Sequence, residues 1–516
     1  MQTVDVVRAD ASGWISRLNA VLNRPSVAGS LIAAVAVVAG VIYLILPPTA
    51  SLLNGDTPDY LYFDAGRPIG YPIFVQVVWW LTDSYAAIRP VQMLIFIFSA
   101  SWASWAVFRY GWGGIAATSF QLGVLGHPGP VGLADSIMSD SLAASLYLFY
   151  LAAVLSFVRA PALGRYAVTC VVMALLITVR PVGVALIASN LALLLLYRRD
   201  LQRELFAASA LLLVLAFAGW FVTPAVHSLT GGEKVSTPLA RGLVQKVIFE
   251  EPEPAQTRSC EEDFIQNLTR PALEYMRTVP AEHRDLMRLR YSTYLRFKTI
   301  IPGLVQRHHF TREAEADPIL MCYSLARIRE NPLSFLHTIA HDYWTFVTNH
   351  TFITARQRDD YNVFLAAHPP VLPPVFRNTD DHYEMRERAV RDLGQDTVAA
   401  TEFMAEEIPF DPPRARPEVL ILVLKLVQVA ATFGGFACIL LVPIRLMGGS
   451  VARDWVTLGV LAIAAQGSLI ITSVVEIALP RYVFPIWPYY WITIIVLTIW
   501  AARSVLKTRP LRSAGR

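Results

Sequence analysis

The sequence predicts a mostly α, polytopic membrane protein of about ten transmembrane helices, with a large extracytoplasmic and mainly helical insert. Three observations predict it. Hydrophobic residues make up 54% of the 516-residue chain and charged residues only 16%, against roughly 25% charged in soluble domains. The charges are unmixed, which leaves apolar runs near the ~20 residues that a membrane-crossing helix needs. The arginines between those runs favour alternate loops, as expected when one side of a bilayer retains the positive charge.

In chain order the apolar runs lie at 27–46, 88–108, 112–126, 141–158, 166–179, 182–197, 205–223, 418–442, 455–475 and 482–502. The stretch 166–197 is too long for one straight span. Arg180-Pro181 divides it, because proline lacks the amide donor and clashes with the preceding turn. With a cytoplasmic N-terminus, the cytoplasmic loops hold Arg109, Arg159, Arg165, Arg198, Arg199, Arg203, Arg445 and Arg453, and the tail adds Arg503, Lys507, Arg509, Arg512 and Arg516. The short outer loops keep only Arg67, Arg89, Arg180 and Arg481. Merging 166–197 into one helix would invert every later loop and place the basic tail outside.

The organisation that follows is a cytoplasmic amphipathic leader (1–26), a transmembrane module of seven spans with its first outer loop at 47–87 (27–223), an extracytoplasmic domain (224–417), a module of three further spans (418–502) and a basic cytoplasmic tail (503–516). Few lysines beside many arginines and alanines point to a GC-rich bacterium, hence to an inner membrane with a periplasmic insert. The net charge of only +4 offers nothing to nucleic acid. Cys170 and Cys438 fall in apolar runs and read as packing residues. Cys260 and Cys322 fall in the insert and could pair in an oxidising compartment, although spacing alone does not bring them within bridging distance. The segment 369–374 (Pro-Pro-Val-Leu-Pro-Pro) reads as a rigid extended loop.

Candidate chemistry concentrates in the outer loops. Asp56 and Asp59 follow the first span in Asn54-Gly-Asp-Thr-Pro-Asp-Tyr-Leu, placed where a carboxylate can stay ionised and reach a headgroup. The plain alternative is a turn followed by an aspartate capping a short helix. Residues 69–82 suit an interfacial helix or an ordinary start to the second span. Asp135 and Asp140 precede the fourth span; the alternative there is an N-cap. Asp56 and Asp140 together could hold a divalent metal ion. Arg89, Arg180 and Arg481 border spans on the outer side, where a cation at membrane depth needs a partner. A lipid phosphate is a natural one, since its oxygens match the guanidinium fork. His337 and His341 stand at a spacing that binds zinc on a helix, and solvated surface histidines are the alternative.

These features resemble the GT-C glycosyltransferases, a superfamily that includes the protein O-mannosyltransferases and the transferase that adds aminoarabinose to lipid A. Asp56-Thr-Pro-Asp-Tyr-Leu is similar to the family's acidic stretch after the first span. Arg67-Pro-Ile-Gly-Tyr-Pro resembles its Pro-Pro-Gly-Tyr-Pro element, with Ile69 in place of the second proline. Ala86-Ala-Ile-Arg-Pro, Met138-Ser-Asp-Ser-Leu, Thr178-Val-Arg-Pro-Val-Gly and Leu479-Pro-Arg-Tyr resemble further segments in the family's order. The resemblance covers 1–225 and the last span, and leaves the insert uncovered. It implies transfer of a sugar from a polyprenyl-phosphate carrier to a hydroxyl of a lipid, glycan or protein acceptor of the cell envelope, with membrane lipid around the site. Asp56 would be the general base, with Asp59 beside it; Asp140 would position sugar or acceptor. Arg67, Arg89, Arg180 and Arg481 would hold the leaving phosphate, and Tyr60, Tyr71, Asp135 and Tyr482 would line the substrates. Competing expectations are an O-antigen ligase or polymerase that works from the large outer loop, and a membrane transporter or assembly scaffold.

Overall fold

The computed structural model describes residues 20–45, 52–53, 56–63, 67–229, 238–249, 260–348, 354–376, 380–393, 416–475 and 482–508. Most of the expected leader, the end of the tail and Arg481 lie outside these. Among the described residues there is no strand.

The first half contains α1 (Pro25–Ile45), α2 (Thr57–Leu61), α3 (Gly70–Thr82), α4 (Ile88–Val107), α5 (Gly114–Leu125), α6 (Pro128–Ala134), α7 (Ser139–Arg159), α8 (Leu163–Val179), α9 (Leu186–Leu196) and α10 (Leu205–Leu229). The insert contributes α11 (Pro238–Val247), α12 (Glu262–Thr278), α13 (Ala281–Tyr294), α14 (Ile301–His308), α15 (Asp317–Glu330), α16 (Pro332–Thr348), α17 (Ala355–Ala367) and α18 (Asp380–Leu393). The chain closes with α19 (Glu418–Leu446), α20 (Arg453–Val475) and α21 (Trp487–Thr508).

The chain is a membrane protein. α1, α4, α7, α10, α19, α20 and α21 are long and apolar enough to cross a bilayer, while α5, α8 and Pro181–Leu196 are shorter apolar helices. Length and apolarity thus qualify seven of the ten expected spans. The break at Arg180-Pro181 is real: α8 ends at Val179, Arg180 turns extended, and a 3-10 turn at Pro181–Ala185 leads into α9. Residues 70–82 form a helix of their own, because Asp83 adopts a left-handed conformation (φ 52°) and stops it before α4 begins. α10 continues through Pro224 beyond the expected end at 223.

α7 is the axis of the bundle. It packs against α4, α8, α20 and α21, and its small residues Ala143, Ala144, Ala152 and Ala153 are buried. α1 and α10 lie at the periphery and expose Leu44, Phe206 and Leu213, as lipid-facing helices do.

The insert builds a second core around Val244, Ile265, Tyr291, Leu304, Leu320 and Tyr361. Cys260 and Cys322 form a disulfide within it, and Cys170 and Cys438 are buried free thiols. The proline segment after α17 runs without helix and is pinned to this core. Tyr275 Oη donates to the His368 carbonyl (2.8 Å), Tyr294 Oη to that of Pro373 (3.2 Å), and the Phe376 amide to that of Lys298 (3.1 Å). Two helices leave the insert core. α16 packs on α19 and α20, and α18 packs on α2, with Ala389 buried in the core of the transmembrane module.

Candidate active site

The described residues between α1 and α4 are folded onto the bundle. Every residue of α2, from Thr57 to Leu61, is buried. A five-residue helix has too few backbone bonds to hold itself, so tertiary contacts hold it. Tyr60 Oη lies 3.0 Å from Ser139 Oγ, and the Ile137 amide donates to the Leu52 carbonyl at 3.0 Å. The Tyr60 ring meets that of Tyr71 edge to face, with centroids 4.7 Å apart, a favoured aromatic geometry. Tyr71 Oη donates to Gln92 Oε1 (2.6 Å), and Gln92 Nε2 donates to the carbonyls of Ala134 (3.2 Å) and Ser136 (3.0 Å). Gln92, on α4, therefore stitches α3 to the acidic stretch that precedes α7.

A glycine makes the next contact possible. A β-carbon on Gly70 would stand 2.8 Å from the backbone of Thr178. Only a residue without a side chain lets α3 lie this close to the end of α8, just before Arg180. Gly129 is equally constrained by the ring of Phe484, at 2.5 Å from its would-be β-carbon. Residues 56–63 with 67–71, 129–140, 178–182 and 482–486 thus converge on one end of α7.

There the charges pair across the chain. Arg67 Nη2 lies 2.5 Å from Asp56 and 2.7 Å from Asp59. Burial opposes the Arg67 charge, but the two carboxylates prevail and hold its pKa well above the ordinary arginine value. Arg89 Nε donates to Asp135 at 2.8 Å. Arg180 Nη1 donates to Asp140, and its guanidinium lies over the Tyr482 ring, 4.7 Å from the centroid. The aspartates of the second stretch are closed off, at 2% and 3% side-chain exposure for Asp135 and Asp140, whereas Arg67 (29%), Arg89 (26%) and Arg180 (15%) stay partly open. A guanidinium has five donors in a fixed fork, so a carboxylate on one edge orients it without saturating it. Beside Arg180 opens a small pocket lined by Tyr147, Val182, Ser468, Thr472, Tyr482 and Pro485.

The capping alternatives do not describe these aspartates. Asp56 occupies the N-cap position of α2 without a side-chain capping bond, Asp59 lies inside that helix, and Asp140 sits in the first turn of α7 behind the N-cap Met138. Asp56 and Asp140, the pair expected to hold a divalent cation if one binds, face Arg67 and Arg180 respectively. Among the described residues no three His, Cys, Asp or Glu side chains gather as metal ligands. His341 is held by Asp285 (3.1 Å), while His337 is exposed on the same helix.

Gln92, Ser139, Tyr147, Ser468 and Thr472 escaped the sequence reading. The signal for Gln92, Ser468 and Thr472 was a polar side chain inside an apolar run, where an unpaired polar group is costly and so implies a buried partner.

No family model, no characterised protein and no solved structure matches the chain significantly.

Proposed function

We propose that this chain is a membrane glycosyltransferase that moves a sugar from a polyprenyl-phosphate donor to an acceptor hydroxyl at the extracytoplasmic face. The observation that supports it best is the meeting of the two acidic stretches at the end of α7, where Asp140 holds Arg180 at a small pocket that Tyr482 also lines. Arginines oriented by aspartates suit the charge that grows on a departing phosphate, and a neighbouring carboxylate suits the proton that an attacking hydroxyl must lose.

In this reading the acceptor hydroxyl gives its proton to Asp56, and its oxygen bonds to the anomeric carbon. The bond from that carbon to the carrier's phosphate oxygen breaks, and the phosphate leaves with the electron pair. Arg180 and Arg89 face the phosphate. Arg67, bridging Asp56 and Asp59, fixes the base and brings its own charge to the same side; Asp140 holds Arg180 in place over Tyr482. Arg481, adjacent to Tyr482 in the chain and outside the described residues, is given the same role by the family resemblance alone. No step requires a metal ion.

The topology that goes with it has ten crossings, both termini in the cytoplasm and 224–417 outside, in a bacterial inner membrane. The disulfide supports that side for the insert, since such bonds persist in oxidising compartments. The ligase alternative gains nothing from its histidines, since His341 is occupied by ion pairs within the insert.

The test is a deletion strain analysed for envelope glycans and glycolipids, complemented with the native chain, Asp56→Asn, Asp56→Ala and Arg180→Ala. A glycan that disappears on deletion and returns only with the native chain supports the reading. Full restoration by both Asp56 variants removes the base assignment. An unaltered glycan profile, together with no release of polyprenyl phosphate by the purified chain, removes the enzyme. A membrane-impermeant thiol reagent applied to whole cells reads the topology: after reduction it should label Cys260 and Cys322.

A further inference from the structure

α16 belongs to the insert, yet it presents an apolar stripe outward. Leu333 and Leu336 are 76% and 57% exposed and Trp344 is 50% exposed; Ala340 is exposed between them. These positions recur at intervals of three, four and four residues, one face of a helix. At 1.5 Å per residue the stripe runs about 16 Å, close to half of the ~30 Å hydrocarbon core. His337 is the one exposed polar side chain among them.

The opposite face carries the polar groups inward. Asp342 is buried against Lys246, and Thr345 is buried too. The C-terminal end of the helix is embedded in the transmembrane module. Phe346 is part of that module's core, Gln428 Nε2 of α19 donates to its carbonyl, and Tyr343 Oη donates to Gln466 Oε1 of α20 at 2.7 Å. α19, which α16 meets at Gln428 and Phe436, exposes Val419 (75%), Leu422 (58%), Leu426 (61%) and Phe433 (59%) on its outward side. The stripe on α16 therefore continues a surface that already faces lipid.

We propose that the outward face of α16 is seated in the lipid leaflet on the insert's side, so that the insert is a membrane-embedded domain rather than one held clear of the bilayer. Leu333, Leu336, Ala340 and Trp344 enter the acyl region, and the buried charges around Asp342 stay on the protein side. This does not depend on the chemistry proposed above, because it follows from the exposed face and its continuity with α19 alone.

The experiment uses the full chain in lipid nanodiscs of phosphatidylethanolamine and phosphatidylglycerol, with Cys170→Ala and Cys438→Ala and the insert disulfide intact. A nitroxide is attached to single cysteines at Leu333→Cys, Leu336→Cys, Ala340→Cys and Trp344→Cys. Collisions with dissolved oxygen and with a water-soluble nickel chelate report depth. Arg356→Cys, whose native side chain is 86% exposed on the insert, is the water reference, and Val37→Cys on α1 is the lipid reference. Oxygen access matching Val37→Cys, with nickel excluded, is the expected result at all four sites. Nickel access equal to that at Arg356→Cys overturns the proposal. So do immobile labels reached by neither reagent, and dipolar broadening between labels in that case identifies a second copy of the chain as the cover. In the unlabelled chain, acyl-brominated lipids should quench less tryptophan emission after Trp344→Phe; an unchanged quenched fraction overturns the assignment for Trp344.

Discussion

Two regions of the molecule bury charge, and they do it differently. At the end of α7, each aspartate meets an arginine that stays partly open, and one of these, Arg180, lines a small pocket. In the insert, Lys246 is wholly buried against Asp342, and Arg288 lies 3.4 Å from the same carboxylate, with His341 closing the group between Asp285 and Asp342. The first arrangement closes off Asp135 and Asp140 and leaves the arginines partly open; the second closes off both charges of the Lys246–Asp342 pair, with Arg288, His341 and Asp285 partly exposed around it. A charge that leads nowhere is a packing device. Arg180, held at the lip of a pocket by Asp140 and Tyr482, is in the proposed reading placed for a ligand. The difference therefore separates structure from chemistry more sharply than burial does, since both regions are buried.

The largest effect should come from breaking the closed cluster. Asp342→Ala takes the carboxylate away from the buried Lys246 ammonium, and removing one partner of a buried pair costs about 3–5 kcal/mol. Thermal unfolding of the insert should fall accordingly, and the double variant Lys246→Met with Asp342→Leu should recover most of it. An undisturbed melting curve for Asp342→Ala would show that the cluster opens to water and that the contrast between the regions is wrong. At the open site the signature should reverse. Arg180→Lys keeps a cation near Asp140 and Tyr482 but loses the fork, so the transfer rate should drop by about 10²-fold, the size seen when one transition-state donor is removed, with melting nearly unchanged. A melting loss as large as that of Asp342→Ala would make Arg180 a packing residue too.

Much of this arrangement was legible before any coordinates. Apolar run length gave the helices, and Arg180-Pro181 gave the break, because proline's missing amide acts locally. The outer aspartates and arginines were identifiable as candidates because each stands out against an apolar neighbourhood. Their partnerships were not legible. Nothing in the spacing says that Arg180 meets Asp140 or Arg89 meets Asp135, 40 and 46 residues away; those pairs depend on how helices pack, and on Gly70 letting α3 touch Thr178. The capping alternatives for Asp56 and Asp140 were reasonable on local grounds and lost to tertiary contacts. In the insert, the sequence showed only a mainly helical domain, and the exposed stripe of α16 was not legible, since a sequence shows that a helix has an apolar face and not which neighbour covers it.

A smaller effect should appear with pH, again in the insert. Hydrogen bonds to Asp285 and Asp342 raise the His341 pKa to about 9. A folded pKa above the unfolded value of about 6.5 stabilises below 6.5, and that contribution disappears as the pH rises through 9. Asp342 runs the other way. Burial alone would raise its pKa, but the His341 hydrogen bond and the charges of Lys246 and Arg288 outweigh burial and lower it. Its contribution is present above the ordinary aspartate value and fades as the pH falls through the folded one. Melting should therefore be highest between roughly pH 4 and 6.5 and decline toward pH 9.5. His341→Gln should flatten the alkaline decline; a decline that persists unaltered would assign it to another group.

The smallest effect tests where the two regions touch. α18 lies on the outer loop with Tyr62 Oη donating to Asp392 Oδ2 at 2.8 Å and Arg388 4.7 Å from the Tyr62 ring centroid. Asp392 and Arg388 are 40% and 64% exposed, and exposed pairs of this kind contribute about 0–1 kcal/mol. Asp392→Ala should barely move the melting temperature. Tyr62 follows directly on the helix that holds Asp59 beside Arg67, so the same substitution should act instead on how that loop receives the acceptor. A raised KM for acceptor at constant kcat is the expected result, and Tyr62→Phe should reproduce it without adding to it, because both remove one hydrogen bond. Additive effects of the two variants would mean that Tyr62 and Asp392 act separately, and that α18 rests on the site without being coupled to it.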